Sequence, residues 1–297
     1  MPTWSAERTV DEPLVRRLLT QFDEVEASSI ERVSEGWDYS IWLIDERWAF
    51  RFPRREIVLR GMELEIEVVP KLAPSLPLAV PAAVFVGEPT DDFPWRFFGS
   101  AFLPGRELGE VELDDTRRHD TGLQLARFLR ALHAAKVDVR LPADSNRRAD
   151  MVERVPKARE QLAALDELGV WTQPPQVARL FAEAEELPAP AAGAVVHGDL
   201  HFRQLLADDD GALTAVLDWV DVCRSDPAVD LCMYWAYLPP SARPAFLDAY
   251  GPVDDAQLLR ARVVALSVWG SLAHYGRVEN YASIEREAVA GLRRIVS

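Results

Sequence analysis

The sequence has 297 residues, 48% hydrophobic and 27% charged, which is typical of a globular protein with a sizeable core. Acidic residues outnumber basic ones by 48 to 33, giving a net charge of −15. This charge disfavours a nucleic-acid partner, because a negative field repels phosphate backbones, and it suits a cationic small molecule. Apolar runs are too short for a membrane span. Because Met1–Arg8 lacks the pattern of a signal peptide, we expect a cytoplasmic protein.

The first third of the chain predicts a helix followed by a β-rich region. Apolar residues recur at helical spacing in 10–25. Two apolar runs joined by the turn Asp45–Arg47 predict a hairpin, and Pro53 ends its second strand. The hairpin strands are Ile41–Ile44 and Trp48–Phe52. A helix over 59–73 and two further strands, Val84–Val86 and Phe97–Leu103, are also predicted here.

The rest of the chain predicts helices interrupted by one β segment. Pro104-Gly105 is the first strong break, so we expect a β-rich N-terminal lobe over 1–103 and a larger helical lobe over 104–297. Such segregation of strands and helices indicates the α+β class. The β segment covers 194–218, and the predicted helices are 115–135, 147–167, 174–187, 226–237, 240–250, 255–274 and 281–295.

The stretch from Val195 to Leu206, VVHGDLHFRQLL, is the most informative part of the sequence. An apolar strand enters a polar loop that carries Asp199 and then returns to an apolar strand. After a turn, a further strand leads to Asp218 and Trp219. Both carboxylates therefore stand beside strands of one hairpin-like unit, and such ends can face one cleft.

Three segments have the order and spacing of motifs in a known family. They are HGDLH at 197–201, LDW at 217–219 and DPAVDL at 226–231. The chain resembles the aminoglycoside/macrolide phosphotransferases over 195–231. The resemblance implies a bilobal protein-kinase-like fold and transfer of the γ-phosphate of ATP or GTP to a hydroxyl of a small molecule. An aminoglycoside or macrolide antibiotic is the leading acceptor. Sugar, choline or fructosamine kinases of the same superfamily, or a nucleotide-binding pseudoenzyme, are the alternatives.

The same resemblance implies roles for three residues of this region. Asp199 would accept the proton of the acceptor hydroxyl, and Asp218 would hold Mg²⁺, which prefers oxygen ligands. Gln204 stands where the family usually has Asn as a second metal ligand. Three hypotheses stay open: Gln204 reaches the metal, the metal depends on Asp218 alone, or catalysis is impaired.

In the N-terminal lobe, Arg51 occupies the position of the lysine on the third strand of protein kinases. The resemblance implies that its guanidinium holds the nucleotide phosphates, since arginine can bind phosphate oxygens with two donors. Glu65 is the favoured carboxylate partner on the next helix, and Glu63 and Glu67 are the alternatives.

Two further segments of this lobe would contact the nucleotide. The loop 34–40, which includes Gly36 and Trp37, lies where the family has its nucleotide-covering loop. Phe102 and Leu103 lie at the position of the hinge that contacts the base.

The remaining polar candidates are histidines and acidic residues. We expect His133, His197 and His201 to shape the catalytic loop rather than to bind zinc. Asp226 and Glu279 are candidate contacts for a cationic acceptor. Both cysteines, Cys223 and Cys232, are expected to be small buried hydrophobes, and the nucleophile elbow of hydrolases is not found.

Overall fold

The computed structural model describes residues 6–36, 38–191 and 193–297, so Met1–Ser5 and Trp37 of the loop 34–40 lie outside it. The chain divides into two compact units. The first takes the chain up to Pro74 together with Ala79–Pro104, and the second takes Ser75–Leu78 and Gly105–Ser297. The division after Pro104 coincides with the Pro-Gly break of the sequence.

The first unit is built on one antiparallel sheet of five strands with spatial order β1-β2-β3-β5-β4. The strands are β1 (Ile30–Glu35), β2 (Tyr39–Ile44), β3 (Trp48–Pro53), β4 (Ala83–Gly87) and β5 (Phe97–Ala101), and the helices are α1 (Glu12–Leu19) and α2 (Leu59–Leu72). The N-cap of helix α1 is Asp11, whose carboxylate accepts a hydrogen bond from the Leu14 amide at 2.9 Å. This satisfies one of the free N–H groups of the first turn.

Aromatic packing fixes β3 in the middle of this sheet. The rings of Phe50, Phe52 and Phe97 are fully buried, and those of Phe52 and Phe97 stack with centroids 4.8 Å apart. A Cβ at Gly99 would lie 2.6 Å from the Phe50 ring, so only glycine leaves room for that ring. The close packing gives Arg51, which lies between two of these rings along the strand, a well-defined backbone position.

The second unit is mostly helical. Its helices are α3 (Asp115–His133), α4 (Met151–Glu167), α5 (Gln176–Glu185), α6 (Cys232–Ala236), α7 (Arg243–Tyr250), α8 (Asp255–Val278) and α9 (Ala282–Val296). Its short strands are β6 (Arg106–Glu107), β7 (Ala194–Val196), β8 (Leu205–Ala207), β9 (Leu213–Val216) and β10 (Cys223–Ser225). They pair as β6-β8-β9 and β7-β10. The long helix α8 is buried along much of its length and packs against α4 and α9.

The predicted α+β class is confirmed, with a five-stranded sheet followed by a mostly helical remainder. The first helix is shorter than predicted, since it ends at Leu19. The helix predicted over 226–237 is interrupted: a 3-10 turn at Pro227–Val229 precedes α6. Both cysteines are buried free thiols, as expected. Within the described part of the chain, no helix has the length and apolarity needed to cross a membrane.

Candidate active site

The loop between β7 and β8 is anchored by the fully buried carboxylate of Asp230. This carboxylate accepts hydrogen bonds from the backbone amides of His197 (2.8 Å) and Gly198 (3.0 Å). The imidazole Nε2 of His133, from α3, lies 3.1 Å from the same carboxylate. Burial alone would raise the pKa of Asp230, but the bond from His133 and the nearby imidazoles lower it. The ionised carboxylate therefore holds the start of the loop, and His133 supports it as predicted.

The loop has a backbone conformation at Gly198 that only glycine adopts readily. Its φ angle is +93°, in the left-handed region. A Cβ at this position would lie 2.3 Å from the carbonyl oxygen of Asp221. Neither the angle nor the space allows a side chain, so the glycine of the HGD segment sets the path of the chain into Asp199.

His197 connects this loop to the segment that carries Asp218. Its buried Nε2 donates to the carbonyl oxygen of Leu217 at 2.8 Å, and its Nδ1 accepts from the amide of Asp199 at 3.3 Å. The ring also packs on Trp219, with centroids 4.9 Å apart. One imidazole therefore fixes the backbone beside both carboxylates.

The Asp199 carboxylate is the candidate reactive group of this loop, and its side chain is 41% exposed. The Nδ1 atom of His201 accepts from the Arg203 amide at 3.3 Å, so its protonated Nε2 faces Asp199 at 3.7 Å. Burial alone would raise the pKa of Asp199. The bond from His201, with the charges of His201, Arg148 and His197, outweighs burial and lowers this pKa to about 2. Asp199 is therefore an anion at neutral pH.

Gln204 lies beside Asp218. Its amide nitrogen donates to Asp218 Oδ2 at 3.1 Å, and its backbone carbonyl accepts from the Leu217 amide at 2.8 Å. Asp218 has a left-handed φ of +61°. Adjacent carboxylate and amide groups offer the oxygen ligands that Mg²⁺ prefers. No group of three acidic, His or Cys side chains among the described residues could hold a metal, so phosphate oxygens and water would complete the shell.

A buried ion pair lies in the first unit, between β3 and α2. Arg51 Nη1 lies 2.7 Å from Glu65 Oε1, and the two side chains are only 10% and 1% exposed. The other two candidates have different partners, since Glu63 pairs with Arg96 and Glu67 with Lys71. The structure thus selects Glu65, the partner that the sequence favoured.

The loop between β1 and β2 is held at the surface. Arg54 pairs with Glu35 at 2.7 Å, and Arg55 Nε donates to Asp38 at 2.9 Å. Gly36 is exposed, and a Cβ there would meet only the carbonyl oxygen of Tyr39, at an ordinary 3.8 Å. The backbone therefore does not require glycine at this position.

The two proposed hinge residues follow β5. The amide of Phe102 donates to the carbonyl of Arg47 at 2.8 Å, and its side chain is among the exposed large apolar groups. Leu103 is half-buried. The exposed Phe102 ring, next to a backbone that this hydrogen bond fixes, offers a surface on which a flat ligand can stack.

A recess of about 290 Å³ opens beside Asp199 within the second unit. The loop Gly198–His201 forms one side, and residues before and along α4 and along α8 form most of the rest, among them Arg148, Arg154, Gln161, Ser267, Ser271 and Leu272. Two of these, Ser271 and Leu272, lie on α8, the helix that ends at the C-cap Glu279. The arginines were missed, because a charged, amphipathic segment is also typical of a solvent-exposed helix.

The two acidic residues predicted to contact a cationic acceptor lie in different environments. Asp226 is buried, and its Oδ1 accepts from the amide of Ala228 at 2.9 Å and from Gln257 at 2.8 Å. Its carboxylate thus caps a turn and binds α8, so we leave Asp226 out of the acceptor site. Glu279 is exposed at the C-cap of α8.

The fold and the site define a kinase-type phosphotransferase. The sequence model of the phosphotransferase enzyme family matches residues 29–262. The chain therefore belongs to this family, which confirms the family expected from the three motifs.

Solved structures share this fold at low sequence identity. The GDP and kanamycin complex of APH(2")-IIia matches with a TM-score of 0.69 and 21% identity, covering 96% of this chain and 99% of that one. Macrolide 2'-phosphotransferase MphH from Brachybacterium faecium matches with a TM-score of 0.61 and 20% identity, covering 95% and 98%. In sequence, the uncharacterized protein YcbJ of Bacillus subtilis (strain 168) is 40% identical over 45 residues, which is 15% of each protein.

Proposed function

We propose that this protein transfers the γ-phosphate of ATP or GTP to a hydroxyl group of a small molecule. The observation that carries the proposal is the placement of Asp199. Its carboxylate is anionic, with a pKa of about 2, and faces a recess from a loop that Asp230 fixes. His197 ties that loop to the residue before Asp218.

Asp199 would orient the acceptor hydroxyl and take its proton. A carboxylate with so low a pKa is a weak base. This is compatible with phosphoryl transfer, because the loose transition state depends on positioning and charge stabilisation more than on early proton removal. The fixed backbone of the loop supplies that positioning.

The remaining candidates would serve the nucleotide. Asp218 and the amide of Gln204 would hold Mg²⁺, which when bound neutralises charge on the nucleotide phosphates. In the first unit, Arg51 would contact the phosphates while Glu65 holds it in place. Phe102 and Leu103 would contact the base, and the loop with Gly36 would cover the phosphates.

The names of fold relatives suggest the first acceptors to test. One structure is a complex with kanamycin and another is a macrolide 2'-phosphotransferase, so aminoglycoside and macrolide antibiotics are the leading classes. Hydroxylated metabolites are the second class. We place the activity in the cytoplasm, where ATP and GTP are available.

The experiment is a transfer assay with γ-³²P-labelled ATP and GTP, with and without Mg²⁺, over aminoglycosides, macrolides and hydroxylated metabolites. We expect label to enter one acceptor class only when Mg²⁺ is present. Nucleotide binding without transfer to any acceptor or to water would instead identify a pseudoenzyme.

A further inference from the structure

We propose that the acceptor is an anionic hydroxy compound whose carboxylate or other oxyanion group is bound by Arg154 in the recess beside Asp199. This inference rests on the proposed phosphotransfer, and it favours the second acceptor class, hydroxylated metabolites, over the aminoglycosides. It departs from the cationic acceptor that the net charge of the chain suggests.

The charges that face the recess favour an anion. Among the described residues that line it, Asp199 is the only carboxylate, whereas Arg148 and Arg154 are both cations. An aminoglycoside brings several ammonium groups, and each needs a carboxylate when it leaves water. The recess supplies a single carboxylate, that of Asp199, and the proposed reaction uses it to orient the acceptor hydroxyl.

Arg148 is neutralised within the protein. Its Nη1 lies 2.8 Å from Asp144 Oδ1, and its Nη2 contacts the carboxylate of Asp221. The two negative charges of these carboxylates exceed the single positive charge of the Arg148 guanidinium. Arg148 is therefore a structural part of the wall and keeps Asp221 in place under Gly198.

Arg154 is not neutralised in this way. Its Nε donates to the carbonyl of Arg148 at 3.2 Å, and its Nη1 to the hydroxyl of Ser267 at 3.3 Å. No carboxylate of the described chain lies within 4.0 Å, and its Nη2 has no hydrogen-bond partner there. Burial and the charge of Arg148 lower the pKa of Arg154, and the charges of Asp144 and Asp199, which raise it, do not cancel that decrease. Arginine still stays protonated at neutral pH, so Arg154 is a half-buried cation without a direct ion pair among the described residues.

The rest of the wall suits hydroxyl groups. The hydroxyl of Ser267 lies 2.7 Å from the side-chain amide of Gln161, which also contacts the hydroxyl of Ser271. These groups are neutral and can both donate and accept hydrogen bonds. A guanidinium, a row of neutral polar groups and the Asp199 carboxylate in one recess match an anion that also carries several hydroxyls.

Two other roles for Arg154 make different predictions. If Arg154 only braces α4 against α8, its removal lowers stability without changing the preference for anions. If it contacts the nucleotide, its removal weakens nucleotide binding instead. The test therefore uses protein saturated with a non-hydrolysable ATP or GTP analogue and Mg²⁺, which occupies the nucleotide phosphate site.

The probes are inorganic sulfate and the pair gluconate and glucitol, which differ in a carboxylate, measured by calorimetry at constant ionic strength. Because a hydrogen bond to a charged group contributes about 1.5–3 kcal/mol, we expect Arg154→Met to weaken sulfate and gluconate binding about 10- to 100-fold. Arg154→Lys should retain most of the affinity. Arg159→Met is the matched control, since Arg159 lies on the same helix, is exposed and pairs with Glu185, and it should change nothing.

The inference is wrong if wild-type protein binds sulfate no more tightly than Arg154→Met, or binds glucitol or kanamycin as tightly as gluconate. It is equally wrong if Arg154→Met weakens only the nucleotide. The proposed function is tested separately, by nucleotide hydrolysis without an acceptor. Hydrolysis that depends on Asp199, combined with no anion preference, would contradict the acceptor class alone.

Discussion

Two loops that connect strands consecutive in the chain are held in opposite ways. The loop between β7 and β8, which carries Asp199, is fixed by the buried carboxylate of Asp230 and the buried ring of His197. The loop between β1 and β2 is fixed by ion pairs at the surface, such as Arg55 with Asp38, whose side chain is 41% exposed.

The two loops differ in whether water can replace the contacts that hold them. Water cannot reach Asp230, so the backbone of the first loop has no alternative partner and is preorganised before any ligand binds. The exposed pairs of the second loop compete with water and salt. We infer that the fold itself positions the carboxylate proposed to react, whereas a bound nucleotide would contribute to positioning the loop between β1 and β2.

The largest effect is expected from Asp230→Ala. The change leaves two buried amides and His133 without their carboxylate, so the free energy of unfolding should fall by about 3–5 kcal/mol in urea denaturation. The pKa of Asp230 is lowered in the folded state, so its contribution is present above the unfolded pKa of about 3.9 and lost as pH falls through the folded value. The difference from wild type should therefore shrink below about pH 4.

The exposed Asp209 provides the control for that variant. Asp209→Ala should change the unfolding free energy by no more than about 0.5 kcal/mol. If Asp230→Ala were equally mild, the first loop would not depend on its buried anchor, and the contrast between the two loops would disappear.

Arg51→Met should be nearly as damaging, because it removes the cation that pairs with the buried Glu65 carboxylate, at a cost of about 3–5 kcal/mol. The double variant Arg51→Met/Glu65→Leu removes both charges and should recover much of this stability. If Arg51 binds phosphate, nucleotide affinity stays about tenfold or more below wild type in both variants. Full recovery of affinity in the double variant would give Arg51 a structural role only. Arg60→Met is the charge control, since Arg60 lies on α2 and is exposed.

A pair of glycine substitutions compares the two loops directly. Gly198→Ala forces a side chain onto a left-handed backbone and against the Asp221 carbonyl, so we expect a loss of about 1–3 kcal/mol and a strong drop in kcat. Gly36→Ala meets no close atom and should change stability by less than about 1 kcal/mol. Equal losses of unfolding free energy in the two variants would contradict the assigned difference in rigidity.

The smallest effect is expected from Arg55→Gln. The pair with Asp38 is partly exposed, so its loss should cost less than about 1 kcal/mol and become undetectable at high salt. We expect KM for the nucleotide to rise by a few-fold at low salt, with kcat unchanged. A large, salt-independent loss of stability would mean that the second loop is as firmly fixed as the first.

Strong local patterns made most of this fold predictable. The hairpin of β2 and β3 was found because apolar runs flank a clear turn, and α2 and α3 begin at the predicted residues. Strand β1 carries mostly exposed residues and so lacks an apolar pattern. The short strands β6 and β10 pair with partners distant in sequence, which no local pattern encodes.

The candidate site was predictable to the extent that its chemistry depends on a motif. Asp199 and Asp218 follow from the resemblance, and the pair of Arg51 with Glu65 follows from strand and helix position. The lack of an ion pair at Arg154 within the described residues does not, because it depends on which carboxylates lie nearby in space. The burial of Asp226 escaped prediction for the same reason.

The central claim is that Asp199 directs the γ-phosphate to an acceptor hydroxyl, and ³¹P NMR of the reaction products tests it most directly. Wild-type protein with Mg²⁺, nucleotide and its acceptor should produce a phosphate monoester, and Asp199→Asn should produce it about 10²- to 10⁴-fold more slowly with nucleotide affinity retained. Monoester formation at the wild-type rate in Asp199→Asn would contradict the account.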